Sequence, residues 1–78
     1  MTKRTLSLNT IDKVKKFVAI ASNFKDDLDL AAGRYVIDGK SIMGIFSLNL
    51  FDPLELTIHA EEDEAKEFLE AIDEFVVA

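Results

Sequence analysis

The 78-residue sequence predicts an α+β fold in the order β-α-β-β-α-β-α, within one domain spanning residues 1–78. Three observations predict it. Short runs alternate apolar and polar residues, at Leu6/Leu8, Leu28/Leu30 and Leu54/Leu56/Ile58, the period of a half-buried strand. Two longer stretches repeat apolar residues at helical spacing: Ile11, Val14, Phe17, Val18, Ala21, and Phe68, Leu69, Ile72, Phe75, Val76. Between them lies a short segment with a helix-start signal at Ser41. An antiparallel four-stranded sheet with three helices on one face would bury these stripes with short connections. Other four-stranded α+β arrangements satisfy the same periodicities.

The elements follow in chain order. Residues 3–8 read as the first strand, and Asn9 or Thr10 caps the first helix. Lys13, Lys15 and Lys16 lie off its stripe, Asn23 ends it, and Phe24 anchors the chain beyond. Lys25-Asp26-Asp27 is a turn, and Leu28 to Leu30 is a strand. Ala32-Gly33-Arg34 is a tight hairpin link in which glycine is free to take positive φ. Tyr35 to Ile37 returns, and Asp38-Gly39 breaks the strand before the second helix. Asn49 is expected in the left-handed conformation after Leu48. Asp52-Pro53 is a turn. Leu54, Leu56, Ile58 and Ala60 face one way and Glu55, Thr57 and His59 the other, and Asp63 is expected to cap the last helix.

Composition narrows the function. Apolar residues make up 49% of the chain, enough for a folded core and against disorder. There is no cysteine, which removes disulfides and thiolate metal sites. Met1 to Leu8 is too polar and too short for a signal peptide, and no apolar run approaches a membrane span. A cytoplasmic location with no membrane partner is therefore expected. The net charge of −6 is uneven. Residues 1–25 hold six basic groups and one acid, while residues 26–78 hold three basic groups and fourteen acids. That excess of acid argues against nucleic acid as a partner. The basic N-terminal part reads as a solvated helix face, with an acidic protein surface as the alternative.

The segment Gly39 to Leu48 is the most informative. Ser41 is a good N-cap residue. Ile45 and Leu48 can face a core, while Ile42, Met43 and Phe46 point elsewhere, because so short a helix cannot bury both sets. An exposed apolar patch is thereby expected beside a serine at a helix start, where added phosphate would be favoured. Methionine suits an adaptable contact surface.

Lys40-Ser41-Ile42-Met43-Gly44, followed by Ser47-Leu48, resembles the regulatory-serine segment of HPr. HPr is the histidine-containing phosphocarrier protein of the bacterial sugar phosphotransferase system. The resemblance runs without a gap from about Thr10 to the C-terminus. Ala21-Ser22-Asn23-Phe24 resembles the end of the family's first helix, Leu54 to Ile58 its last strand, and Phe68-Leu69 with Ala71-Ile72 its last helix. Gly33 sits one position from the family's hairpin glycine. The Lys-Ser-Ile-Met-Gly string is the specific part. The resemblance implies an open-faced β-sandwich. It also implies that Ser41 is the target of an ATP-dependent kinase and that the patch of Lys40, Ile42, Met43 and Phe46 docks partner proteins of the phosphotransferase or carbon-regulation network, among them HPr kinase and a transcription regulator.

In that family a histidine at the start of the first helix takes a phosphoryl group from phosphoenolpyruvate by way of enzyme I. An arginine two residues on supports the phosphate, and a proline follows. Carried across, these positions hold Thr10, Asp12 and Lys13. An imidazole is nucleophilic near neutral pH, whereas a threonine hydroxyl needs a base, and Asp12 would repel phosphate where the family supplies a cation. The chain is thus expected to be a divergent member with no catalytic residue, no cofactor and no metal: a regulatory or interaction protein and not an enzyme. The alternatives are a true phosphocarrier with an unusual acceptor, and a small dimeric sensing domain working through its sheet or patch. His59, the single histidine, is expected on the outer face of the last strand without partner carboxylates. Glu61-Glu62-Asp63-Glu64 lacks the glycine and spaced oxygens of a calcium loop and reads as acids favouring a helix start.

Overall fold

The structure, a computed structural model, describes residues 1–77. Four strands, β1 (Thr2–Leu6), β2 (Leu28–Ala32), β3 (Tyr35–Asp38) and β4 (Leu54–Ile58), form one antiparallel sheet in the order β1-β4-β2-β3. Three helices, α1 (Ile11–Ser22), α2 (Ile42–Phe46) and α3 (Lys66–Ala71), and a 3-10 turn at Asp73–Phe75 complete the chain. The predicted element order and fold class hold.

The alternating residues divide the sheet as their period requires. Leu6, Leu28, Leu30, Leu54, Leu56 and Ile58 are buried on the face that the helices cover. Lys3, Thr5, Val36, Asp38 and Glu55 stand exposed on the open face. From α1, Val14, Phe17 and Ala21 enter the core; α2 supplies Ile45 and α3 Phe68, with Ile72 and Phe75 following. Phe17 lies at the centre, its ring edge-on to Phe68 at 6.3 Å and to Phe75 at 6.4 Å. Such pairs add about 0.5–1.5 kcal/mol each beyond the area they bury.

Five expectations are corrected. Strand β1 ends at Leu6, not Leu8: the Ser7 amide turns to the Phe75 carbonyl at 2.8 Å, although Leu8 stays buried. Ile11 is exposed, because it sits in the first turn of α1 and lines a surface groove, and Ile20 packs against the core in its stead. Asn49 does not adopt positive φ. Its side chain closes the turn itself, accepting from the Phe51 amide at 3.2 Å and donating to Asp52 at 3.0 Å. Asp63 does not cap the last helix: α3 begins at Lys66 with Ala65 at its N-cap and no side-chain bond, while the Asp63 carboxylate accepts from the Glu64 amide. The last helix also breaks after Ala71 into the 3-10 turn, which releases Val76 to bridge Leu6 and lets the Val77 amide reach the Thr5 carbonyl at 2.9 Å.

Two glycines set the geometry leading into α2. Gly33 takes φ of 60° as the first central residue of the two-residue β2–β3 link, and Arg34 keeps a negative φ, the type II′ pattern that suits the strand twist. Gly39 crosses directly over Leu28. Its amide bonds the Leu28 carbonyl at 2.8 Å, and a Cβ there would stand 2.1 Å from the Leu28 Cδ1. Gly39→Ala is expected to destabilise the protein by about 1–3 kcal/mol through forced displacement of a core leucine. Urea denaturation checks this; an unchanged midpoint would contradict the close approach.

Candidate functional site

Two helix starts, each capped by a hydroxyl, frame the site. At α2, Ser41 has extended backbone and its Oγ accepts from the Gly44 amide at 3.1 Å. At α1, Thr10 is likewise extended and its Oγ1 accepts from the Lys13 amide at 3.1 Å. Each residue satisfies an amide that the helix leaves unpaired. The Ser41 cap expected from the sequence is present, and of the two candidates for the α1 cap the residue is Thr10.

Exposed apolar residues lie on both helices and on the loop that follows α2. Ile11, Met43, Phe46 and Phe51 are exposed to 62%, 77%, 39% and 93% of their area. A groove runs between the start of α1 and the end of α2, lined by Thr10, Ile11, Phe46, Asn49, Leu50 and Phe51. Met43 and Phe46 were expected outside the core and are. Ile42 is half-buried and packs against the core, a correction with a simple cause: it is three residues before Ile45 and shares its face. Ile11 and Phe51 were missed. Ile11 fits the helical stripe by spacing, and Phe51 sits in a loop that carries no periodicity.

Lys40 is held differently from a free cation at the patch. Its Nζ donates to the Phe24 carbonyl at 2.6 Å, beyond the end of α1, and its amide donates to the Asp38 carboxylate at 2.9 Å. A cation on these last carbonyls complements the negative end of α1. Lys40 thereby ties the start of α2 to the end of α1.

Asp12 is exposed, one turn-position beyond Ile11. Among the described residues, no carboxylate or imidazole bonds the Thr10 hydroxyl. His59 lies at the other end of the strands: Leu6, before the α1 start, pairs with Leu54, whereas Ile58, before His59, pairs with Thr2 and Leu28. The expectation that His59 lacks a carboxylate is corrected. Its Nε2 lies 2.7 Å from Asp29 Oδ2. Asp29 pairs with Thr57 across β2 and β4, which puts it diagonal to His59 on one face; that register was not readable before the pairing was known. Among the described residues no group of three or more histidines, cysteines and carboxylates could hold a metal ion.

The comparisons with known proteins agree with this geometry. The family described as "PTS HPr component phosphorylation site" matches residues 12–78. The chain belongs to the PTS HPr family. Among solved structures, HPr-C-His from Thermoanaerobacter tengcongensis superposes with a TM-score of 0.73 at 22% identity, over 94% of this chain and 92% of that one. The phosphocarrier protein HPr from Bacillus anthracis str. Ames gives 0.72 at 25%, over 97% and 96%. No curated protein matches the chain. The HPr fold thus accounts for the sheet and its three covering helices.

The caps make a stability prediction. Ser41→Ala removes the acceptor of the Gly44 amide and is expected to cost about 1 kcal/mol, which lowers the melting temperature of a domain this size by roughly 4–8 °C. Ser41→Asp keeps an acceptor there and should melt close to the parent. Calorimetry of the three proteins checks this, and equal melting of the alanine variant would show the cap to be unimportant.

Proposed function

We propose that this HPr-family protein is a regulatory or interaction protein, not an enzyme and not a phosphoryl carrier. Ser41 is its regulatory phosphorylation site. Met43 and Phe46, joined by Ile11 and Phe51, form its docking surface. The observation that carries this reading is the exposed apolar surface of Met43 and Phe46 on the helix that Ser41 caps, continued from Phe46 by a groove to Ile11 and Thr10. A surface patch of this kind on a small domain marks a partner site, and aromatic and methionine side chains are favoured at interface centres.

The resemblance puts the phospho-accepting histidine at Thr10 and its arginine at Asp12. A threonine hydroxyl that caps a helix and has no base bonded to it is a poor acceptor at neutral pH. An aspartate beside it repels the incoming phosphate. At Ser41 the kinase reaction moves the γ-phosphoryl group of ATP to Oγ, which loses its proton, and ADP leaves. The product carries about −1.5 to −2 added charge at the edge of the apolar patch, and so changes which partners the patch accepts. Those partners are proteins of the phosphotransferase or carbon-regulation network, with HPr kinase and a transcription regulator as the first to examine. Lys40 contributes by holding α2 in place through Phe24. A cytoplasmic location goes with these partners, and no helix among the described residues is long and apolar enough to cross a membrane.

Incubation with ATP and an HPr kinase, followed by intact mass measurement, is expected to show one added phosphate on the parent protein and none on Ser41→Ala. Met43→Asp, which alters only an exposed side chain, is expected to lower the kinase's kcat/KM at least about tenfold, the size of a modest interface hot spot. No phosphate on the parent protein would reduce Ser41 to a helix cap and remove the regulatory reading.

A further inference from the structure

The two edges of the sheet are treated differently. Along β1 the C-terminal residues cover Thr5 to Ser7 through the Ser7–Phe75 and Val77–Thr5 backbone bonds. Along β3 nothing comparable occurs: among the described residues, no backbone bond from a loop or cap reaches Arg34 to Ile37. Tyr35 and Val36 on this edge are 73% and 64% exposed. An open edge with apolar side chains is a template for another strand.

The ladder fixes which backbone groups point outward. The Gly39 amide bonds the Leu28 carbonyl, so Leu28–Gly39 is a hydrogen-bonded pair. In this register the bonded pairs are then Leu30–Ile37 and Ala32–Tyr35. Tyr35 and Ile37 spend their backbone groups on β2, Arg34 and Val36 present theirs to the outside, and Asp38 presents its amide there while its carbonyl also accepts from the Ser41 amide at 3.0 Å.

We propose that β3 is a self-pairing edge, which binds a second copy of this chain antiparallel across a two-fold axis at Val36. In that register Val36 bonds Val36 of the partner copy in both directions, and Arg34 stands opposite the partner's Asp38, twice. Arg34 takes part in no ion pair among the described residues. Asp38 uses Oδ1 on the Lys40 amide and keeps Oδ2. Asp29 directly across β2 adds negative charge at the same corner. On the helix-covered face Tyr35 meets the partner's Ile37, an aromatic and β-branched pair of the kind that stabilises sheets. Only this register sets Arg34 opposite the partner's Asp38 on both sides of the axis. Shifting the axis by two residues puts Arg34 on Arg34, or Asp38 on Asp38, and shifting by one keeps outward backbone groups paired but sets Arg34 or Asp38 opposite Val36, so that both ion pairs are lost. Five residues from each copy make an interface at the small end of the specific range, and each copy carries a net charge of −6. The association is therefore weak and reversible. It is independent of the Ser41 patch.

Sedimentation equilibrium from about 10 μM to about 1 mM, the span suited to small interfaces, is expected to show the average mass rising from one chain toward two. Arg34→Asp sets aspartate against the partner's Asp38 and should weaken association at least tenfold. An equal mixture of Arg34→Asp and Asp38→Arg should restore it, since each copy then offers the charge the other needs. Asp38→Arg gives up the bond to the Lys40 amide, so Val36→Pro, which removes only an outward amide, provides a second variant expected to stay monomeric. In concentration-dependent amide spectra Val36 and Asp38 should shift more than Tyr35 and Ile37. A monomer at every concentration, or a dimer indifferent to both Arg34→Asp and Val36→Pro, would overturn the proposal; the latter result would place the contact elsewhere, on the apolar patch.

Discussion

The buried ring of Phe17 holds α1 against the C-terminal segment of the helical layer. It meets Phe68 from α3 and Phe75 from the turn after it, both edge to face, and Phe68 in turn stacks on Phe24 at 4.8 Å. The middle and end of α1 are thereby clamped to the C-terminal segment. Two consequences follow at opposite ends of the helix. At its end, the Phe24 carbonyl is held where Lys40 can reach it, which positions the start of α2. At its beginning, Thr10 and Ile11 are held beside Phe46 and Phe51. The groove between the α1 start and the α2 end depends on a cluster of aromatic rings that do not line it.

The same arrangement explains why the surface has two unlike regions. The covered face of the sheet uses its leucines and isoleucines completely, so no apolar residue of β1 or β4 is left for contact with partners. The helix layer is short of area: α2 has five residues and turns only Ile42 and Ile45 inward. Met43 and Phe46 remain outside. Opposite charges on the open face settle into exposed pairs, as with Lys3 and Glu55 at 3.5 Å, each worth at most about 1 kcal/mol. These pairs shape the surface and do little to hold the fold.

Much of this was legible in the sequence because strand and helix periods differ so clearly here. Leu54, Leu56 and Ile58 alternate without interruption, and Val14, Phe17 and Ala21 mark one face of a helix. The hydroxyl caps at Thr10 and Ser41 were also legible, since capping is local chemistry. What failed was long-range or marginal. Ile11 satisfies the helical stripe, yet the stripe says nothing about whether the first turn overlies the sheet. Ile42 was misplaced by overlooking its three-residue spacing from Ile45. Asp63 has the right chemistry for a cap, but the chain bends through turns until Ala65, and Asn49 closes its turn by side-chain bonds where a left-handed backbone was expected. The Asp29–His59 contact and the Phe51 position depend on register and loop path, which no local pattern encodes.

The proposed function uses an HPr fold without phosphoryl relay. The direct measurement is incubation with labelled phosphoenolpyruvate and enzyme I, with an ordinary histidine-bearing HPr as the positive control in the same reaction. Label is expected on the control and none on this chain, with Thr10 and His59 both unmodified. Label on this chain that is lost in acid, as a phosphohistidine would be, and that disappears in His59→Ala, would contradict it. That result would make the Asp29–His59 pair the carrier site.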